Sequence, residues 1–298
     1  MLCMKIAVIT DTNSGMLPPD AEEHGIVLMP MPVIIDNKEY REGVNLTDEH
    51  FYQMLADGAD VHTSQPAAGD VLDLWNDLLK DYDEIVHIPM SSGLSGSCQS
   101  AVLYAEEFDG RVHVVDNQRI SVTQRQSALD ARVMADSGLT GAEIKSILEE
   151  TKFDSHIYIM VDTLTYLKKG GRITPAAAMI GGVLHLKPVL QIQGEKLDAF
   201  SKCRSIKNAK KIMTDAVAEG IEQEFGGIAY ADKPGAWIGL AHTHNEEAAL
   251  QYVAETKERF PGFDVHMDRL PISIACHIGP GSLALTCTKV LPQGAQYS

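Results

Sequence analysis

The sequence offers little that would tie the chain to a disulfide framework, a metal or a membrane. Its five cysteines are odd in number and scattered, without a CxxC pair, which predicts free thiols in a reducing compartment and no metal site. No segment reaches the roughly 20 unbroken apolar residues of a membrane span. The N-terminus lacks the basic start and apolar core of a signal peptide. We therefore expect a cytoplasmic protein without stable membrane insertion.

Basic residues are also scarce, with 25 lysines and arginines against 41 acidic residues and a formal net charge of −16. This balance argues against nucleic acid and anionic membranes as main partners. One window departs from it, because residues 165–211 hold ten basic and two acidic residues, a net charge of +8. A local basic face predicts an anion site or a docking surface, and a solvated helix face is the alternative.

The first half of the chain predicts an α/β domain over residues 1–153. Apolar runs such as "KIAVITDT", "GIVLMPMPVII", "EIVHIPM" and "RVHVVDN" read as buried strands, and amphipathic segments between them read as helices. Strands that alternate with helices favour a mostly parallel sheet with helices on both faces.

The second half predicts an α+β domain over residues 154–291, followed by a loose tail, 292–298. "SHIYIMVDTLTYL" reads as a strand, "KKGGR" as a basic turn and "KPVLQIQGEKLDAFSKC" as a hairpin. "TPAAAMIGGVLHL" begins with a Thr cap and a Pro at the first helical position. It is apolar nearly all round, which predicts a buried helix. A strand, helix, strand and strand complete this half.

The stretch "SSGLSGS" (91–97) lies where a buried strand passes into a helix. Glycines allow a ligand to approach the backbone closely, and a helix N-terminus favours negative charge. The turn therefore suits a phosphate, carboxylate or oxyanion. The alternative is that Ser95 or Ser97 only caps the helix.

Three further polar stretches lie at the ends of predicted elements: "HTSQPAAGD" (62–70), "LKKGGRITP" (167–175) and "HIGPGSLAL" (277–285). With "SSGLSGS" they resemble the DegV family, the bacterial fatty-acid-binding proteins that serve as the carrier subunit of fatty acid kinase. Other blocks that carry the resemblance, in the same order, are "VITDTNSGMLPPDAEEHGIVLMPMPVIID", "YREGVNLTDEHFYQML" and "LHLKPVLQIQGEKL".

The resemblance implies two α/β domains with a long-chain fatty acid in an apolar tunnel between them, and no other cofactor. It implies that Thr63, Ser95 and His277 hold the carboxylate, with a backbone N–H from Gly96. Ser95 would donate a hydrogen bond and would not be a nucleophile. The kinase partner would convert the fatty acid to an acyl phosphate for phospholipid synthesis.

The resemblance also suggests roles around this site. Arg172 of "GGRI" is a candidate for a residue that lies just behind those that hold the head group. Arg204 of "SKCRS" matches a family position implicated in contact with the kinase. For the tunnel wall we expect Met179 and Leu184, since methionine and leucine adapt to the shape of an acyl chain. Chain length, saturation and oligomeric state cannot be read from the sequence.

One segment departs from the family pattern, which often has glycines after the "VVD" strand. Here Arg119, Gln124 and Arg125 stand in "VVDNQRISVTQRQSALDA". They leave three possibilities open: a different acyl chain, an altered head-group site, or a structural ion pair.

Two other functions remain as alternatives. A serine hydrolase would use Ser95 as nucleophile and His277 as base, but "GLSGS" does not match the G-x-S-x-G elbow. A lipid-sensing regulator would need no kinase. A nucleotide site is disfavoured, because the sequence has no GxxxxGK[ST] and no GxGxxG after the first strand.

Overall fold

The computed structural model describes residues 4–180, 186–194, 196–227 and 235–294. The strands are β1 (Ile6–Asp11), β2 (Ile26–Met29), β3 (Pro32–Ile35), β4 (Lys38–Arg41), β5 (Val61–Thr63), β6 (Glu84–Ile88), β7 (Val112–Val114), β8 (Ser155–Met160), β9 (Lys187–Ile192), β10 (Asp198–Cys203), β11 (Ala236–His242), β12 (Val265–Arg269) and β13 (Leu283–Lys289). The α-helices are α1 (Pro18–Glu23), α2 (Asp48–Ala56), α3 (Ala68–Leu78), α4 (Ser97–Ala105), α5 (Val122–Asp136), α6 (Gly141–Glu150), α7 (Thr165–Gly170), α8 (Pro175–Ile180), α9 (Ile206–Glu224), α10 (Glu246–Arg259) and α11 (Ile272–Ile278).

The first sheet is parallel throughout and has the order β2-β1-β6-β7. Alternate residues of β1 face opposite ways, as the two-residue period of a strand requires. Ile6 and Val8 pack with residues of α5 and α6, whereas Ala7 and Ile9 pack with residues of α3 and α4. Helices therefore cover both faces, and the predicted α/β class is confirmed.

A small antiparallel sheet of order β4-β3-β5 lies beside it. The prediction of one strand over "GIVLMPMPVII" was wrong, because β2 and β3 belong to different sheets. Pro30 and Pro32 explain the break, since neither can donate a backbone N–H to a ladder. β5 ends at Thr63 and so fixes the place of a predicted site residue.

The second half builds a six-stranded sheet of order β10-β9-β8-β13-β11-β12, in which only β11 and β12 pair in parallel. One face packs on α9 and α10. The opposite face carries Ile157, Ile159 and Ala284, and it packs against Leu94 and Val122 from the first half of the chain. The two halves thus share one apolar core, and the site lies in it.

Three predictions for the second half need correction. The strand in "SHIYIMVDTLTYL" ends at Met160, and "TYLKKG" forms α7 rather than a turn. α11 was missed because "ISIACHI" is rich in β-branched and apolar residues, which are typical of a strand. The helix predicted to be buried is exposed at Pro175 and Ala176 in its described part, although Ala177 is buried.

The predicted boundary at residue 153/154 remains a prediction. The first sheet is complete before residue 115, and the six-stranded sheet begins at Ser155. However, Leu291 packs into the core of the first sheet. The tail also begins as a turn in which Gly294 is buried, and residues 295–298 lie outside the described part. Among the described residues, no helix combines the length and apolar character needed to cross a bilayer.

His87 on β6 predicts a loss of stability in acid. Burial lowers its pKa to about 4, whereas an unfolded histidine titrates near 6.5. Between these values the unfolded chain binds more protons, so the His87 contribution is fully present above about pH 6.5 and is lost as the pH falls towards 4. It amounts to about 3 kcal/mol at most.

Urea unfolding of the ligand-free protein between pH 7 and pH 4 measures this effect. We expect His87→Leu to have a shallower pH dependence than the wild type. The exposed residue His50 supplies the control His50→Gln. Identical slopes for the wild type and His87→Leu would contradict the prediction.

Candidate functional site

An elongated cavity of about 280 Å³ lies between the six-stranded sheet and the segments that follow β5, β6 and β7. Its lining is mainly apolar. The aliphatic and methionine residues are Met31, Met90, Leu94, Ile120, Val122, Ile157, Ile159, Leu167, Ile192, Leu197, Leu270, Ile274 and Ile278. Because both halves of the chain supply these residues, the cavity occupies the place predicted for the tunnel.

Polar groups from distant parts of the sequence meet at this cavity. Thr63 at the end of β5 and His277 in the last turn of α11 both line it. The Oγ1 atom of Thr63 lies 2.9 Å from Nε2 of His277, which is a hydrogen-bond distance. If Nε2 donates this bond, the Thr63 hydroxyl proton is free for an acceptor in the cavity.

The "SSGLSG" turn brings Ser95 and Gly96 to the same cavity. The turn folds back because Ser95 N–H donates to the carbonyl of Ser91 at 3.1 Å. Ser95 Oγ accepts from the N–H of Ser97, the first residue of α4, at 3.2 Å, while Gly96 is the N-cap residue. A hydroxyl that accepts this bond still has its own proton to donate. Accepting this bond and binding a ligand are therefore compatible roles for Ser95.

Arg172 supplies positive charge at the cavity. Its guanidinium donates to the carbonyls of Leu94 and Gly170, at 3.3 and 2.5 Å. No carboxylate pairs with it within the described ranges of the chain. Burial, together with the Arg172 charge, lowers the pKa of His277 to about 4. His277 is thus neutral at pH 7 in the ligand-free protein. The positive charge at the cavity comes from Arg172, which lines it.

The remaining predicted site residues lie elsewhere. Arg204 is exposed in the turn between β10 and α9 and does not line the cavity. The prediction for Met179 was wrong, because its side chain is 84% exposed. The short helix α8 buries Ala177 on its inner side and leaves Met179 in solvent. Leu184 lies outside the described residues.

The three residues that depart from the family pattern form polar contacts with neighbouring elements. Arg119 is buried and donates to Ser127 Oγ and to the carbonyl of Thr151. Gln124 donates to Thr10, Asp11 and the carbonyl of Ile88. Arg125 forms ion pairs with Asp20 and Asp268. None of the three lines this cavity, and their contacts join α5 and the segment before it to neighbouring elements.

Several polar residues that line the cavity were missed from the sequence, among them Asn13, Gln65 and Ser273. Gln65 Oε1 accepts from Ser100 at 3.1 Å and lies beside Gly96. Ser273 Oγ donates to Asn13 Oδ1 at 2.6 Å. Ser273 and His277 are four residues apart, so they share a face of α11. That spacing would have signalled Ser273 if 272–278 had been predicted as a helix.

The arrangement is suited to holding an anion at one place along an apolar ligand. It contains two hydroxyls, backbone N–H groups of a helix start and a nearby guanidinium, which are the donors that a carboxylate needs when it leaves water. His277 bonds to Thr63, and no hydrogen bond joins it to Ser95 among the described residues. In that part of the chain, no cluster of His, Cys, Asp and Glu is placed to bind a metal.

Gly170 gives a direct test of the His277 position. A Cβ atom on Gly170 would lie 2.4 Å from Nδ1 of His277, so Gly170→Ala must displace the imidazole. We expect the affinity for an anionic apolar ligand such as palmitate to fall roughly tenfold, because the Thr63–His277 pair is disturbed.

Isothermal calorimetry or a displacement assay measures this loss. Gly69 in α3 provides a matched control, since a Cβ atom there meets nothing within 4 Å. Equal affinities for Gly170→Ala, Gly69→Ala and the wild type would show that the imidazole position does not matter.

These features define a class of protein in which an apolar cavity between two halves of the chain is lined also by hydroxyls, an imidazole and a guanidinium. The chain belongs to the DegV family, since the model described as "Uncharacterised protein, DegV family" matches residues 5–290. Protein DegV of Bacillus subtilis is 30% identical over 285 residues, which cover 95% of this chain and 98% of that protein. A DegV domain-containing protein of Caldanaerobacter subterraneus is 30% identical over 277 residues, 93% of this chain and 96% of the relative.

Solved structures of the family share the fold. A DegV family protein from Thermus thermophilus, described as fatty acid binding, has a TM-score of 0.87 at 28% identity and covers 96% of this chain and 100% of its own. DegV from Bacillus subtilis, described as a fatty acid binding protein, has a TM-score of 0.84 at 29% identity with the same coverages. The predicted family and fold are both confirmed.

Proposed function

We propose that this protein binds one long-chain fatty acid in the cavity, with the carboxylate at Thr63, Ser95, Gly96 and His277. The observation that carries the proposal is an apolar cavity at which these four groups, distant in sequence, come together. The related proteins from Thermus thermophilus and Bacillus subtilis are described as fatty acid binding, which supports the same ligand class here.

The energetics favour this ligand. Burying about fifteen methylenes contributes roughly 12 kcal/mol before the losses of association. A carboxylate is expensive to bury without partners. The Ser95 hydroxyl, the Gly96 N–H and the Thr63 hydroxyl offset that cost, and Arg172 adds a favourable charge. The apolar tail therefore provides affinity, and the polar end fixes the direction of the ligand.

Lipid extraction from the purified protein, followed by quantitative mass spectrometry, tests the ligand. About one fatty acid per chain is expected, and its identity gives the preferred acyl group. The proposal fails if the protein is empty and also takes up no added oleate or palmitate.

We further propose that the protein is a carrier and not an enzyme. It would present the bound fatty acid to a fatty acid kinase, which forms the acyl phosphate. Ser95 already accepts the Ser97 N–H and has no hydrogen bond to His277 among the described residues, which weakens the hydrolase alternative. The exposed residue Arg204 would contact the kinase.

The kinase step is tested with the loaded protein, a fatty acid kinase and ATP, by trapping the acyl phosphate with hydroxylamine. Arg204→Ala should retain its fatty acid and lose most of the turnover. Lys211→Ala is a matched control, because Lys211 is exposed and already paired with Asp215. Acyl phosphate at the wild-type rate from Arg204→Ala would refute that contact. No acyl phosphate from the wild type would favour a lipid-sensing regulator.

A further inference from the structure

A second cavity of about 310 Å³ adjoins the first one. It is lined by α5, β11 and β12, with apolar residues that include Leu129, Val133 and Ile238 and charged residues that include Arg125 and Arg132. Val122 and Thr286 line both cavities. These two side chains therefore form part of the partition between them.

The partition is reached along β13. β13 begins at Leu283, shortly after His277, and Ala284 and Thr286 both face the first cavity. Thr286 is two residues further along the strand than Ala284, a distance of roughly 7 Å. A ligand that ran along β13 from His277 would meet Ala284 before Thr286.

The close approach of Val122 to the sheet at this partition depends on Gly239. Gly239 pairs with Thr286 in the sheet, and a Cβ atom there would lie 2.6 Å from Val122 Cγ2 and 2.7 Å from Thr286 Oγ1. The lack of a side chain lets Val122 of α5 approach the sheet directly. Val122, Thr286 and the backbone of Gly239 thus lie close together where the two cavities adjoin.

We propose that Val122 and Thr286, closed over Gly239, form the end wall that limits the length of the bound acyl chain. This inference rests on the proposed fatty-acid function. Removing the γ-methyl groups of Val122 opens the first cavity towards the second. Longer tails can then bury additional methylenes against Leu129, Val133 and Ile238. A larger residue at position 122 shortens the part of the first cavity that is available to the acyl chain.

The test compares affinities for saturated fatty acids of 14 to 22 carbons. Val122→Ala should move the optimum two to four carbons longer, with up to about a fourfold gain for each methylene newly buried. Val122→Ile should move it shorter by about two carbons. Val133→Ala is the matched control, because Val133 lines only the second cavity, and it should keep the wild-type optimum.

The outcomes separate this inference from the proposed function. Opposite shifts for Val122→Ala and Val122→Ile support the end wall. If Val122→Ala does not fold, the shift towards shorter chains in Val122→Ile decides the question. Wild-type binding with unchanged length profiles in the Val122 variants, or the same shift in Val133→Ala, overturns the end wall alone. A wild type that binds no fatty acid overturns both.

Discussion

Thr63→Val combined with Ser95→Ala should weaken fatty-acid binding by about a hundredfold to ten-thousandfold. Hydrogen bonds to a charged group contribute about 1.5–3 kcal/mol each, and the loss of two leaves a carboxylate buried without its main donors. Thr63 also contacts His277, so the two losses need not add. The acyl part of the cavity is unchanged, but the loss of the Thr63–His277 and Ser95–Ser97 hydrogen bonds should cost about 1–3 kcal/mol of folding stability.

Equilibrium binding of palmitate to delipidated protein measures this effect. Ser92→Ala is the matched control: Ser92 lies in the same turn but does not line the cavity. Both single variants should fall between the wild type and the double variant. A double variant that binds palmitate as tightly as Ser92→Ala would show that the carboxylate lies elsewhere.

Asp11→Ala should cost about 3–5 kcal/mol of folding stability. The buried Asp11 carboxylate accepts from the backbone and side-chain N–H groups of Asn13, both at 2.9 Å. It also accepts from the Met90 N–H at 2.9 Å and from Gln124 Nε2 at 3.1 Å. Alanine would leave these donors without this acceptor, in a place that water does not reach. The loss would loosen the junction of β1, β6 and α5 beside the cavity.

Denaturant unfolding monitored by circular dichroism measures the change. Asp11→Asn keeps one acceptor oxygen and should lie between the wild type and Asp11→Ala. Asp57→Ala is the surface control, since among the described residues the Asp57 carboxylate accepts from the exposed Gln53 side chain alone, and it should stay within about 0.5 kcal/mol. Equal midpoints for Asp11→Ala and Asp57→Ala would refute the role of this network.

Local patterns predicted much of the fold because their physical causes are local. Thr47 caps α2, and Thr140 with Glu143 forms the capping box of α6. Short helices were predicted poorly where their amino-acid composition indicated a different structure or burial. The apolar helix α8 is partly exposed, and α11 is only seven residues long.

The site was harder to predict from the residues alone. Thr63 and His277 are 214 positions apart in the sequence, and no local pattern links them. Family resemblance supplied that pairing. It could not supply Ser273 or Gln65, whose roles depend on the packing of α11 and on the start of α4. The end wall at Val122 also depends on tertiary contacts, since a glycine on β11 sets how closely α5 approaches.

Because both halves of the chain line the cavity, a ligand bound there would hold the two halves together. A fatty acid there would touch Leu94 and Val122 from one half and Ile157 and Ile278 from the other. Whatever binds only the folded state raises the melting temperature in proportion to the logarithm of its free concentration. The melting temperature would then report how much of the protein carries a ligand. Protein from which lipid has been removed should melt at a lower temperature than the loaded protein.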